Sequence, residues 1–254
     1  MKFAVITGAA SGIGAACVEE FHSHSYKIIG VDVQQPLEIS AADLFHQFHI
    51  VDIAHVANIT DFIAKLSDAV DHVDVLVNAA GIHSGKPIEL VSEDDFDRII
   101  SINAKAPFFL TQKLLPLMTQ GDYSDRSIVN ISSVHATATT PLLSSYAASK
   151  GALTAMTRTM ALELASKKIR VNAVQPGAIN TPMLQNGFQK LYGKPGVNVD
   201  EMVNNFGKKL PVGRIGRAAD IATAVYFLAN ENNSFITGTS LVVDGGVLSH
   251  LSTE

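Results

Sequence analysis

The run TGAASGIG, Thr7 to Gly14, decides how the chain is read, because a β-branched segment, KFAVIT, leads into it and a helical segment follows it. Glycines at 8, 12 and 14 permit a tight turn and let the main chain approach a pyrophosphate closely. They also leave the first N–H groups of the helix open to an anion. A glycine turn can equally serve strand-to-helix geometry alone, so its meaning depends on what the rest of the chain places around it.

Short β-branched runs recur along the chain: KFAVIT, KIIGVD, FHIVD, VDVLVN, SIVNIS, IRVNAV and SLVVD. Between them, apolar residues fall at three- and four-residue spacing, as in 56–70 and 152–165. Strand alternating with helix implies parallel pairing through right-handed crossovers. The expected architecture is α/β: a single-domain Rossmann fold over 1–254, with a doubly wound parallel sheet of about seven strands and helices on both faces. One segment, about 181–211, breaks the alternation with GKPGVNVDEMVNN. Its apolar residues suit either a substrate lid or a helical hairpin packed permanently on the domain.

Composition narrows the function classes. Hydrophobic residues make up 47% and charged residues 17%, which places the chain among compact folded proteins. Lys and Arg total 19 against 24 Asp and Glu with no basic run, so nucleic acid is not the expected partner. No run of about 18 apolar residues marks a membrane span. Neither a secretion signal nor a second cysteine to pair with Cys17 is present, and the expected location is cytoplasmic.

The ends of the strands carry polar groups, and in open parallel sheets ligands bind at those ends. Asp32 closes the second strand about 20 residues past the glycine turn, where a carboxylate accepts from ribose hydroxyls and repels a 2′-phosphate. NAD is therefore favoured over NADP; the plainer reading of Asp32 is a turn cap. Asp52, placed at the end of the third strand, could meet an adenine amino group. VNAAG, with Asn78 and Gly81, and NISS, Asn130 to Ser133, end the fourth and fifth strands.

Together, TGAASGIG, NAAG, NISS, the Y-x-x-x-K pair of Tyr146 and Lys150, PGAINT and VDGG resemble the short-chain dehydrogenase/reductase family, over Phe3 to Gly246. The resemblance implies a catalytic set of Asn103, Ser133, Tyr146 and Lys150, with Tyr146 as general acid/base, Ser133 orienting the substrate oxygen, and Asn103 holding a water linked to Lys150. It implies NAD contacts from Gly8, Ser11, Gly12, Ile13, Gly14, Asp32, Asp52, Ile53, Asn78, Ala79, Gly81, Tyr146, Lys150, Pro176, Gly177, Ile179 and Thr181. Physical chemistry supports the pair independently: positions 146 and 150 share one helix face, and a nearby ammonium lowers a phenol whose ordinary pKa is about 10.

A substrate pocket of Ser133, Tyr146, His83 and His135 is expected, although either histidine could be an exposed loop residue. His22 and His24 point to different helix faces, and no metal site is expected. The expected activity is interconversion of a secondary alcohol and a ketone with NAD. Alternatives are an NADPH-dependent 3-oxoacyl-thioester reductase and a nucleotide sensor without turnover. The family's habit implies a homotetramer built on helices at 94–118 and 146–167.

Overall fold

The computed structural model describes residues 1–36, 43–120, 126–192 and 198–250. Its strands are β1 (Lys2–Thr7), β2 (Tyr26–Asp32), β3 (Phe45–Ile50), β4 (Val75–Asn78), β5 (Arg126–Ile131), β6 (Ile169–Pro176), β7 (Ile179–Asn180), β8 (Gly216–Arg217) and β9 (Ser240–Val243). Seven of them form one sheet in the order β3-β2-β1-β4-β5-β6-β9, each neighbouring pair parallel. The order reverses between β1 and β4, the switch point where such sheets open a crevice at their carboxyl ends. β7 and β8 make a separate two-stranded ribbon.

The helices are α1 (Gly12–Ser23), α2 (Val56–Ser67), α3 (Glu93–Ile100), α4 (Ala106–Met118), α5 (Ser144–Leu164), α6 (Pro182–Tyr192), α7 (Val199–Lys208) and α8 (Ala218–Ala229). Strand periodicity divides the core into two layers. Val5, Ile29, Leu76 and Ile128 face one way, with Ile59 and Leu66 of α2, Leu110 and Leu114 of α4, and Met160 of α5. Ala4, Ile6, Ile28 and Val77 face the other, with Cys17 and Phe21 of α1 and Ile221 and Val225 of α8. Each fully buried aliphatic or aromatic side chain contributes roughly 1.5–3 kcal/mol, so both helical layers are held by the sheet.

α5 shows how packing and chemistry share one helix. Its buried stripe begins with Ser145, Ser149 and Lys150 and continues as Leu153, Thr157, Met160, Ala161 and Leu164. The polar part passes the strand ends, and the apolar part lies across the sheet.

Two local expectations change. Pairing of the third strand stops short of Asp52: Val51 N still donates to Asp32 O at 2.8 Å, and then Asp52 Oδ1 accepts from Ala54 N at 3.0 Å, turning the chain toward α2. The helix expected over 94–118 is two helices, α3 and α4, joined by a π-helical turn at Ser101–Lys105. That turn inserts extra backbone and re-aims the residues it holds, Asn103 among them. The 181–211 segment supplies α6 and α7, whose Phe188 and Phe206 rings meet at 5.6 Å. Residues 193–197 and the side chains of 191 and 192, part of that expected segment, lie outside the described residues.

Candidate active site

The glycine turn is built by contacts that exclude side chains. Gly8 has φ 68°, and a Cβ there would lie 2.9 Å from the Ala80 main chain. A Cβ on Gly14 would lie 2.0 Å from the Gly8 carbonyl, so α1 begins hard against the turn. Ser11, the N-cap, makes no side-chain cap, and the first turn of α1, which holds Ile13, carries no acid. Thr7 Oγ1 accepts from Ala79 N and Ala80 N, both at 3.1 Å, and ties the turn to the end of β4.

Asp32 closes β2 beside this turn. Its Oδ2 accepts from Ala10 N at 3.0 Å and its Oδ1 from Gln34 N at 3.1 Å. Each carboxylate oxygen has a second lone pair, so the group is oriented without being used up. Asp52 is turned onto its own loop, and Ile53 is buried among the α2 side of the core. From the far side, Gly12 meets Thr181: a Cβ at 12 would lie 3.4 Å from Thr181 Cγ2. Pro176 ends β6, Gly177 N donates to Val243 O at 3.0 Å, and Ile179 is buried. The 176–181 segment thus closes over the glycine turn. Positive-φ glycines, an uncapped helix start and a fixed carboxylate at the second strand fit a dinucleotide.

Buried amides organise the sheet rim. Asn78 Nδ2 donates to Asn130 Oδ1 at 2.8 Å, and Asn130 Nδ2 donates to Thr157 Oγ1 at 2.9 Å. Asn103 clasps the loop after β4: its Oδ1 accepts from Ile82 N at 2.9 Å, and its Nδ2 donates to Ile82 O at 2.8 Å and to Ser149 Oγ at 3.0 Å. Lys150, 4% exposed, donates from Nζ to Ile131 O at 2.8 Å. Burial pushes this ammonium down to about 8. A Cβ at Gly81 would lie 3.4 Å from both Lys150 Nζ and Asn103 Oδ1, so the glycine makes room for both.

Tyr146 is half-buried, with Lys150 Nζ 5.7 Å from its ring centroid. The sequence leads one to expect a phenol lowered by that ammonium. Instead burial pushes it above its ordinary value, and a hydrogen bond with the Ser133 side chain pulls only partly the other way. Lys150 gives its nearest contact to Ile131 O instead. Ser133 Oγ also accepts from His135 N at 3.2 Å. Both pocket histidines pack edge-on against Tyr146, His135 at 5.9 Å and 71°, His83 at 6.1 Å and 74° between centroids. Burial above all holds His135 below its ordinary pKa.

The structure therefore brings Asn103, Ser133, Tyr146, Lys150, His83 and His135 to one rim, beside Gly81 and the glycine turn. Sequence reading missed Thr7, Ser149 and the Ile131 and Met183 carbonyls; main-chain acceptors carry no side-chain signal. The carbonyl of Leu142, a residue at φ 72°, accepts from Lys86 N at 3.2 Å and joins the two loops over the pocket. Among the described residues no group of three His, Cys, Asp or Glu could hold a metal ion.

A family model described as Enoyl-(Acyl carrier protein) reductase matches residues 8–248. The chain is 35% identical to the 3-oxoacyl-[acyl-carrier-protein] reductase FabG of Thermotoga maritima, covering 97% of this chain and 98% of that protein. The structure of Thermoplasma acidophilum aldohexose dehydrogenase superposes with a TM-score of 0.92 at 33% identity, covering 100% of this chain and 96% of the other. A 4-hydroxyisoleucine dehydrogenase complexed with NADH gives 0.86 at 30% identity, covering 99% and 100%.

Proposed function

The chain belongs to the short-chain dehydrogenase/reductase family, and on that premise we propose that it interconverts a secondary alcohol and a ketone by hydride transfer, with NAD as the nucleotide and Tyr146 moving the proton. The convergence of Ser133, Tyr146 and Lys150 beside the glycine turn carries this reading. A bound nicotinamide supplies the hydride acceptor or donor. The chain's own residues handle the oxygen. Ser133 Oγ holds it, and Tyr146, whose phenol keeps its proton in this environment, donates that proton to a ketone oxygen or recovers it from an alcohol. Lys150 keeps a positive charge near the phenol and favours phenolate when the proton leaves. Asn103 fixes the Ile82 main chain and, through Ser149, the start of α5.

Preference for NAD is supported by Asp32 and by the absence of any Lys or Arg between Lys27 and Lys65 to meet a 2′-phosphate. Similarity to the Thermotoga maritima reductase favours a second reading, reduction of a 3-oxoacyl thioester with NADPH. A panel of alcohols with NAD⁺ or NADP⁺, and of ketones and a 3-oxoacyl thioester with either reduced nucleotide, separates the two by nicotinamide absorbance. Turnover only of the thioester with NADPH would replace the first reading; nucleotide binding with no turnover anywhere would make the protein a sensor.

A homotetramer remains our proposal for the assembly. It is supported by apolar side chains left exposed on α4 (Phe108), α5 (Leu162), α8 (Phe227) and β9 (Val242). Light scattering that returned a monomer mass would overturn it. Among the described residues no helix is long and apolar enough to cross a membrane.

A further inference from the structure

We propose that His83 reads a second hydroxyl on the substrate, one or two carbons from the carbon whose oxygen meets Tyr146, and so selects diols and hydroxyketones over simple alcohols and ketones. This rests on the oxidoreductase reading above. His83 Nε2 lies 3.3 Å from the carbonyl of Met183, in the first turn of α6. A carbonyl oxygen only accepts, so in the neutral ring Nε2 carries the proton and Nδ1 is left with a lone pair. Nδ1 is shut off from solvent and meets no donor among the described residues; the next side chain, Ser84, has its Oγ in the same condition. Buried polar atoms are seldom left unmatched, and here two lie side by side in the sequence of the loop that faces Tyr146.

Position and chemistry together define what would satisfy Nδ1. The His83 ring stands edge-on to Tyr146 with centroids 6.1 Å apart, so the two rings border the same part of the rim. Its opposite edge rests on α6, where a Cβ on Gly187 would lie 3.2 Å from Cε1 and 3.3 Å from Nε2. A ketone, thioester or carboxylate oxygen offers only lone pairs to Nδ1, whereas a hydroxyl offers a proton. His135, on the same tyrosine and held below its ordinary pKa, adds a second uncharged wall suited to a neutral oxygen.

Two substitutions separate this role from simple packing. His83→Asn keeps an oxygen near the position of Nδ1 and gives up the reach to Met183; His83→Gln keeps a donor near Nε2 and gives up Nδ1. Simple secondary alcohols would be assayed beside their vicinal and 1,3-diol counterparts, open-chain and cyclic, with NAD⁺ and NADP⁺. We expect the wild type to favour diols, His83→Asn to hold that preference within about threefold, and His83→Gln to lower the ratio of kcat/KM for diols to that for simple alcohols about tenfold. Loss in His83→Asn with retention in His83→Gln would assign His83 to holding α6 and overturn the proposal. A wild type without diol preference would overturn it as well. No turnover of any alcohol with either nucleotide would instead overturn the oxidoreductase reading, and this inference with it.

Discussion

Lys150 gives its closest hydrogen bond, 2.8 Å, to the carbonyl of Ile131 at the end of β5, not to the tyrosine one helical turn before it. The sheet thus anchors an ammonium buried at this rim. Its Nζ stands 5.7 Å from the Tyr146 ring centroid. An arrangement of this kind trades stability for a charge held near the phenol, and that trade can be measured.

Burial takes the Lys150 pKa from 10.5 to about 8. Below pH 8 the ammonium is charged in both folded and unfolded chains, and the full desolvation cost, about 3 kcal/mol, weighs on the fold. Between pH 8 and 10.5 the unfolded chain holds the extra proton, so stability recovers as pH rises. Lys150→Met should therefore be more stable than the wild type at pH 7, with the gap closing toward pH 10.5, while turnover is lost. Denaturant melts of both proteins across that range check the sign; a gap that is constant with pH would count against a buried charge at this position.

Tyr146→Phe should retain nucleotide affinity within about threefold and lose turnover by roughly 100-fold to 10,000-fold, the range expected when a general acid/base is removed. The ring contacts to His83 and His135 do not need the hydroxyl, so the thermal midpoint should move little. Nucleotide fluorescence titration and steady-state rates test this together. Near-normal rates would remove Tyr146 from its proposed role.

Asp32→Asn keeps one oxygen to accept from Ala10 N or Gln34 N and removes the negative charge. Discrimination against NADP should shrink by about tenfold, chiefly because the 2′-phosphate is no longer repelled. Dissociation constants for NAD⁺ and NADP⁺ on both proteins provide the check. An unchanged ratio would mean that Asp32 only braces the glycine turn.

The parallel sheet, the helix layers and the rim were legible because they follow from patterns with fixed periods. Val5 alternates with Ala4 and Ile6 between the two core layers, and Tyr146 and Lys150 lie one turn apart on α5. What the sequence hid depends on relationships that have no period. The π-turn around Asn103 is invisible in SINAK, and the main chain that its amide clasps, at Ile82, lies 21 residues upstream. Likewise the anchoring of Lys150 on Ile131 O and of His83 on Met183 O uses backbone acceptors, which any residue type would supply.

That clasp sets up a test of its own. Asn103 is fully buried, and its amide satisfies both polar groups of Ile82 while donating to Ser149 Oγ. Asn103→Ala leaves the Ile82 N–H and C=O without these partners in the loop that carries His83, at a cost of about 3 kcal/mol. Global stability alone would not distinguish this from any core truncation, so the sharper readout is local. Hydrogen exchange at the Ile82 amide should accelerate by far more than at the Leu76 amide, which sits within β4 and pairs with its neighbours on both sides. Uniform acceleration at both amides would mean that Asn103 supports the fold in general; selective acceleration at Ile82 would mean that it holds one wall of the substrate pocket in place.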